Sequence, residues 1–176
     1  MLPEPFPATL DVRKATLRGA SVDGALRPAD LSRFRGMLAG DEGNITARMA
    51  FNKDDEGHTV IDLAVQADVT VICQRCLDVL AVHLNAENRL AVVWSDSQAA
   101  ALPGHLDPLI VEETSCDLWA IVEEELILAL PPFSYHDTED CRQSIAAYTD
   151  PPPEEDAGTE KLNPFGVLAQ LKPGEK

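Results

Sequence analysis

Residues 59–94 read TVIDLAVQADVTVICQRCLDVLAVHLNAENRLAVVW, and their pattern decides the fold. From 59 to 72 large apolar residues alternate with small or polar ones and β-branched side chains dominate, the signature of a strand with one buried face. After the interruption Cys73-Gln-Arg-Cys76, the alternation resumes through Leu80, Val82 and Leu84, and residues 90–94 extend it. Two antiparallel strands with a cysteine pair at their tip follow. Upstream, Ile45, Ala47, Met49 and Phe51 alternate in the same way, and the turn-forming residues 52–57 separate them from the pair.

The cysteine pair can bite one metal ion. Far downstream His136 and Cys141, spaced His-x4-Cys, supply a second bite, and four such donors are the number a structural zinc ion takes. Cys116 stands outside this set. Three readings of the CxxC pair stay open: a structural zinc site, a redox pair, and two plain reduced thiols. A thioredoxin-like pair needs its second cysteine in a helix, whereas residues 78–84 alternate like a strand. Zinc hairpins often place glycine after the second cysteine, and here Leu77 stands instead. Four protein ligands leave no open position for water, so such an ion builds the protein and does no chemistry. Catalytic residues do not announce themselves. Glu123, Glu124 and Glu125 are consecutive on a helix and point apart, and no phosphate-cradling loop, nucleophile elbow or HExxH motif is present.

The formal net charge is −16, unevenly spread. Residues 1–53 hold eight basic and six acidic side chains (8 − 6 = +2), and residues 54–176 hold six and twenty-four (6 − 24 = −18). A surface this acidic repels phosphate, so any RNA contact is expected from Arg13, Lys14, Arg18, Arg33 and Arg35 in the N-terminal third. The remainder suits a basic protein partner. No signal peptide and no apolar run of membrane-spanning length is evident, which leads to the expectation of a cytoplasmic protein with no membrane contact and no small-molecule substrate.

Elsewhere, residues 28–39 carry Leu31, Phe34 and Leu38 at helical spacing, and 95–104 read as a short helix and loop. Residues 109–111 read as a brief edge strand. Ser115 or Asp117 caps a main helix ending at Pro131-Pro132, with Leu118, Trp119, Val122, Leu126 and Ala129 on its core-facing arc. Glu125 falls inside that arc, so it either pairs with a cation, Arg75 being the candidate, or reaches water at the rim. Residues 1–145 are expected as one α+β domain: an antiparallel sheet, curled towards a half-barrel, on the main helix and the short N-terminal helix. Residues 146–161 are acidic and proline-rich and are expected as a disordered linker. Residues 162–176 then carry a short helical motif with Phe165, Leu168 and Leu171, which either binds a partner or packs back on its own domain.

Cys73-Gln-Arg-Cys76-Leu, the helix 122–131, His136-Asp-Thr-Glu-Asp-Cys141 and the tail 163–172 together resemble the YceD family of bacterial large ribosomal RNA subunit accumulation proteins. The four blocks come in that family's order, and the resemblance runs from the N-terminal strand to the tail, essentially the whole chain. The resemblance implies a non-catalytic factor for synthesis, processing or stability of 23S ribosomal RNA. Its partners would be ribosomal proteins or rRNA-processing factors of the large subunit. The alternatives are a zinc-dependent hydrolase or nuclease acting on rRNA precursors, with Glu125 as its base, and a CxxC redox sensor.

Overall fold

The computed structural model describes residues 4–112 and 115–143. The linker expected at 146–161 and the motif with Phe165, Leu168 and Leu171 lie outside the described residues. The strands are β1 (Thr9–Asp11), β2 (Ser21–Leu26), β3 (Gly43–Lys53), β4 (Thr59–Ile72), β5 (Val79–Val93), β6 (Asp107–Ile110) and β7 (Ser115–Asp117). The helices are α1 (Val12–Arg18), α2 (Ser32–Arg35), α3 (Asp96–Ala100), α4 (Leu118–Ala129) and α5 (Glu139–Gln143). Strands β2 to β6 form one sheet in sequence order, antiparallel except for the parallel β5–β6 pair, and β1 pairs with β7 in a second, two-stranded sheet. The architecture is α+β and mostly antiparallel, as expected, and the large sheet is open, with β2 and β6 at its edges. None of the helices among the described residues is long and apolar enough to cross a membrane.

The hairpin read from residues 59–94 is the centre of the sheet. Its alternation places Ile61, Leu63, Val65, Ala67, Val69 and Val71 on one buried face, while Gln66 and Asp68 face solvent. The register runs from Val60 opposite Ala91 to Ile72 opposite Val79, so pairing stops at the residue before Cys73. Ile45, Ala47, Met49 and Phe51 of β3 join the same face, and Leu118, Val122 and Leu126 of α4 close over it. Burying each of these large side chains contributes about 1.5–3 kcal/mol. A smaller cluster, Val60, Ala91 and Leu106, fills the opposite face at one end of the sheet.

The first turn of structure, α1, went unread in the sequence. Asp11 accepts a hydrogen bond from the Lys14 amide at 3.0 Å, and Gly19, with φ of 57°, closes the other end through bonds to Ala15 and Thr16. Only glycine adopts that left-handed conformation cheaply.

The helix expected over residues 28–39 is interrupted. A 3-10 turn at Pro28–Asp30 is followed by extended backbone at Leu31 (φ −118°, ψ 91°), and α2 is a single turn. The break has a local and a distant cause. Asp30 turns back to accept from the Arg27 amide at 3.0 Å and its guanidinium at 2.8 Å. The amides that begin α2 are then taken by a side chain from α4: Glu123 accepts from Arg33 N at 2.7 Å and Phe34 N at 3.2 Å. Its other oxygen lies 3.1 Å from Arg33 Nε, and Arg33 also reaches Glu124 at 2.7 Å. Phe34 is thereby held fully buried.

The buried carboxylate of the main helix is therefore Glu123, not Glu125. The buried face of α4 comprises Leu118, Ile121, Val122, Glu123 and Leu126. Glu125 lies at the rim, half-buried, and accepts from Asn88 Nδ2 at 3.0 Å. The expected pair with Arg75 does not form. Asn88 pairs with Leu63, nine residues along β4 from Ile72 (72 − 63 = 9), which places Glu125 well along the sheet from the hairpin tip where Arg75 sits.

Burial by itself raises the Glu123 pKa, but the Arg33 side chain and the amides of Phe34 and Arg33 outweigh it and hold the carboxyl below its ordinary range. The carboxylate's contribution to stability is thus present above the ordinary glutamate pKa and is lost as pH falls through the lower folded value. Glu123→Ala is expected to cost about 2–3 kcal/mol at neutral pH, because two helix amides and a guanidinium lose their acceptor. Urea unfolding at pH 7 and pH 3 checks this. The gap between variant and wild type should narrow in acid, and equal midpoints at pH 7 would contradict the capping role.

Candidate metal centre

The tip of the β4–β5 hairpin is a tight knuckle. Cys73 N donates to Asp78 O at 2.8 Å, and Leu77 N donates to Cys73 O at 3.0 Å. Closing this turn forces Leu77 to φ of 63°, the left-handed region where glycine is the usual occupant. The knuckle points the backbone amides of Arg75 and Cys76 towards Cys73 and that of Asp78 towards Cys76.

The second half-site returns to the tip after α4 ends. Leu130 and Pro131-Pro132 stop the helix, and Ser134 O accepts from the Gln74 amide at 2.9 Å, fastening the returning chain beside the first cysteine. Thr138 then starts α5, its hydroxyl accepting from Cys141 N at 3.4 Å, and the turn that follows brings Cys141 inward. His136 is oriented by its Nε2, which donates to Val79 O at 3.1 Å. A carbonyl can only accept, so Nε2 carries the proton and the Nδ1 lone pair is left for a metal.

Cys73, Cys76, His136 and Cys141 converge, with their ligand atoms all within 4.8 Å of one another. Cys73 Sγ and Cys141 Sγ are 3.6 Å apart, and Cys76 Sγ lies 3.2 Å from His136 Nδ1. A tetrahedral zinc ion with bonds of about 2.3 Å to sulfur has edges of about 3.8 Å, so the donor set fits such an ion in kind and spacing. Cys73 and Cys141 are buried, and Cys76 and His136 are half-buried. Burial pushes the Cys73 thiol up, but the amides of Cys76, Arg75 and His136 outweigh it and bring its pKa down to about 5. The Asp78 amide favours the Cys76 thiolate, but burial and the neighbouring sulfurs of Cys73 and Cys141 oppose it and raise that pKa to about 11. Sulfurs crowded in this way, with one thiolate favoured at Cys73, suit a divalent cation. Cys116 is elsewhere, paired with Leu10 in the small sheet, and burial first, then Asp117, raises its pKa.

The other expected site residues are dispersed. Arg33 is engaged by Glu123 and Glu124, Arg35 by Asp41, Lys14 by Asp11 at 3.1 Å, and Arg13 lies 4.3 Å above the Trp94 ring. Arg18 is exposed on the last turn of α1. Most of the cationic charge offered for RNA is thus already matched within the chain. Glu125, the base named for a hydrolase, bonds Asn88 partway along the sheet and is not among the residues at the tip.

Sequence reasoning missed what surrounds the cluster. Arg75 lies 4.8 Å above the Tyr135 ring, and Phe133 is parallel to Tyr135 at 6.4 Å. Ile72, Leu77, Val79, Phe133 and Tyr135 are all exposed, at 44%, 73%, 59%, 67% and 44% respectively, and they gather at this tip. Large apolar side chains are thus concentrated in solvent at this one turn and the segment beside it, which is uncommon on a protein surface. The aromatic pair flanking Ser134 was its signal in the sequence.

Residues 61–172 match the family described as large ribosomal RNA subunit accumulation protein YceD. A protein of that name from Haemophilus influenzae is 33% identical over 169 residues, spanning 95% of this chain and 96% of that one. No solved structure matches.

Leu77→Gly should raise stability by about 0.5–1 kcal/mol, the relief of a left-handed leucine less the added flexibility of glycine when unfolded. Thermal unfolding checks it. A lower midpoint would show that the exposed leucine is held by contacts the turn needs.

Proposed function

Since the chain belongs to the YceD family, we propose that it is a non-catalytic ribosome-biogenesis factor supporting accumulation of 23S ribosomal RNA, built around one structural zinc ion. The observation that carries the reading is the convergence of Cys73, Cys76, His136 and Cys141 at the base of an exposed apolar tip. Zinc bound there would be a closed, four-ligand ion that fixes the tip and the returning segment relative to each other. The chain's own residues prepare this: backbone amides favour a thiolate at Cys73, and Val79 O sets the His136 tautomer.

In this reading the apolar tip meets the maturing large subunit or a processing factor. Phe165, Leu168 and Leu171 bind a partner in the same assembly, at the reach given by residues 146–161. Contact with rRNA through the N-terminal third is secondary, because Arg13, Lys14, Arg33 and Arg35 are occupied within the chain. The cytoplasm is the setting that such work implies. A hydrolase is the weaker reading, since its carboxylate base, Glu125, bonds Asn88 partway along the sheet and not at the tip that carries the ligands. A redox role is also weaker, because a strand and no helix follows Cys76.

The test joins metal content to RNA. Purified protein should hold one zinc per chain. Cys141→Ser should lose it, melt at lower temperature and fail to restore mature 23S rRNA in cells lacking the protein. Full restoration by a metal-free Cys141→Ser would sink the structural-zinc reading. Normal 23S rRNA in cells lacking the protein would sink the biogenesis reading.

A further inference from the structure

A groove of about 760 Å³ runs between the edge strand β6 and the outer face of α4, and none of the four metal-ligand candidates lines it. Its apolar side chains include Leu109, Ile110, Ile121 and Leu128, and two of them are unusually open to solvent: Ile110 at 46% and Leu128 at 70%. One wall is a helical stripe, Ala120, Glu124 and Leu128, spaced four residues apart on α4. Around this apolar floor stand Asp107, Glu112, Asp117, Glu124 and Glu125, whereas Arg33 is the one cation among the described lining residues. Arg33 is itself spent on Glu123 and Glu124.

The chemistry of the groove selects its occupant. Five carboxylates against one committed guanidinium make a negative rim, which favours a cationic partner and repels phosphate. The exposed apolar pair asks for side chains that repeat on one face. A strand added along β6 is a poor occupant, because β6 spans Asp107–Ile110 only and carries Pro108, which has no amide to donate. A helix laid parallel to α4 meets both demands.

We infer that this groove docks an amphipathic helix of a partner protein, with its leucine-like residues on Ile110 and Leu128 and its Lys or Arg residues on the acidic rim. The inference goes beyond the zinc-organised tip and does not depend on it. Two other occupants share some of this chemistry and are separated by the test. The chain's own residues 161–172 carry Lys161 and Lys172 around Phe165, Leu168 and Leu171, and a second copy could bring the same segment.

The probe is a synthetic amphipathic helix of Leu and Lys, beside a scrambled peptide of identical composition whose leucines share no face. Binding to the full-length, zinc-loaded chain is followed by fluorescence anisotropy, and amide chemical shifts locate it. Shifts should appear at Ile110, Ala120 and Leu128. Leu128→Arg should weaken binding about tenfold or more, the effect of losing one apolar anchor and adding one adverse charge. Glu112→Lys, on an exposed loop, should weaken it in the same direction, and both variants should keep their zinc and their melting temperature. The scrambled peptide should also bind about tenfold less tightly. Equal affinity for Leu128→Arg and wild type, or shifts spread over other acidic surfaces, overturns the proposal. If deleting residues 161–172 alone moves the groove resonances, the occupant is the chain's own tail and the proposal is overturned. If dilution moves them, the occupant is a second copy, which overturns it equally. None of these outcomes touches the zinc or the 23S rRNA result, so the two readings fail separately.

Discussion

The structure depends on one closure: the tip of the β4–β5 hairpin meets the segment that follows α4, at a cluster of three sulfurs and an imidazole. The bridged residues are 60 and 68 positions apart in sequence. Ordering such a loop is entropically costly, and the hydrogen bond from Gln74 to Ser134 is worth only about 1 kcal/mol net. A zinc ion shared by the four residues would bring an apparent binding free energy of about 10–16 kcal/mol, comparable to the whole net stability of an ordinary domain. Of the interactions open to the tip, a bound metal would be the one large enough to hold the exposed side chains of Ile72, Leu77, Val79, Phe133 and Tyr135 in place.

A second constraint works at the other end of the molecule. Glu123 carries a charge into a nearly closed environment, and it does so because α2 presents unsatisfied amides and Arg33 lies beside them. A carboxylate at a helix N-terminus is favoured by both the free N–H groups and the helix dipole. The short helix exists because α4 caps it, and α4 keeps its place partly because the short helix accepts its charge. The two ends divide the work: charge and hydrogen bonds position α2, while sulfur and imidazole position the tip.

How much of this was legible follows from the range of each cause. The alternation of residues 59–72 and 79–93 is a local signal, and the long hairpin and the position of the cysteines at its tip came from it directly. The donor set was also legible, because thiols and imidazole at paired short spacings are rare by chance. The helix over 28–39 misled, since its periodicity is real at Leu31 and Phe34, yet the cap that shapes it comes from a residue about ninety positions away. Glu123 and Glu125 could not be ranked from hydropathy alone, because α4 buries Ile121, Val122 and Glu123 in succession and so presents a wider arc than a simple stripe. The α1 helix escaped because it has seven residues, although Asp11 and Gly19 marked both of its ends. The groove beside β6 has no signature in the chain, because it arises from how β6 and α4 pack and not from any pattern within either element.

The most direct measurement is X-ray absorption at the zinc edge of the purified, full-length protein. A closed structural site should give a first shell of three sulfurs at about 2.3 Å and one nitrogen at about 2.0 Å, with no oxygen. A shell containing water, fewer than three sulfurs, or no zinc signal would contradict it.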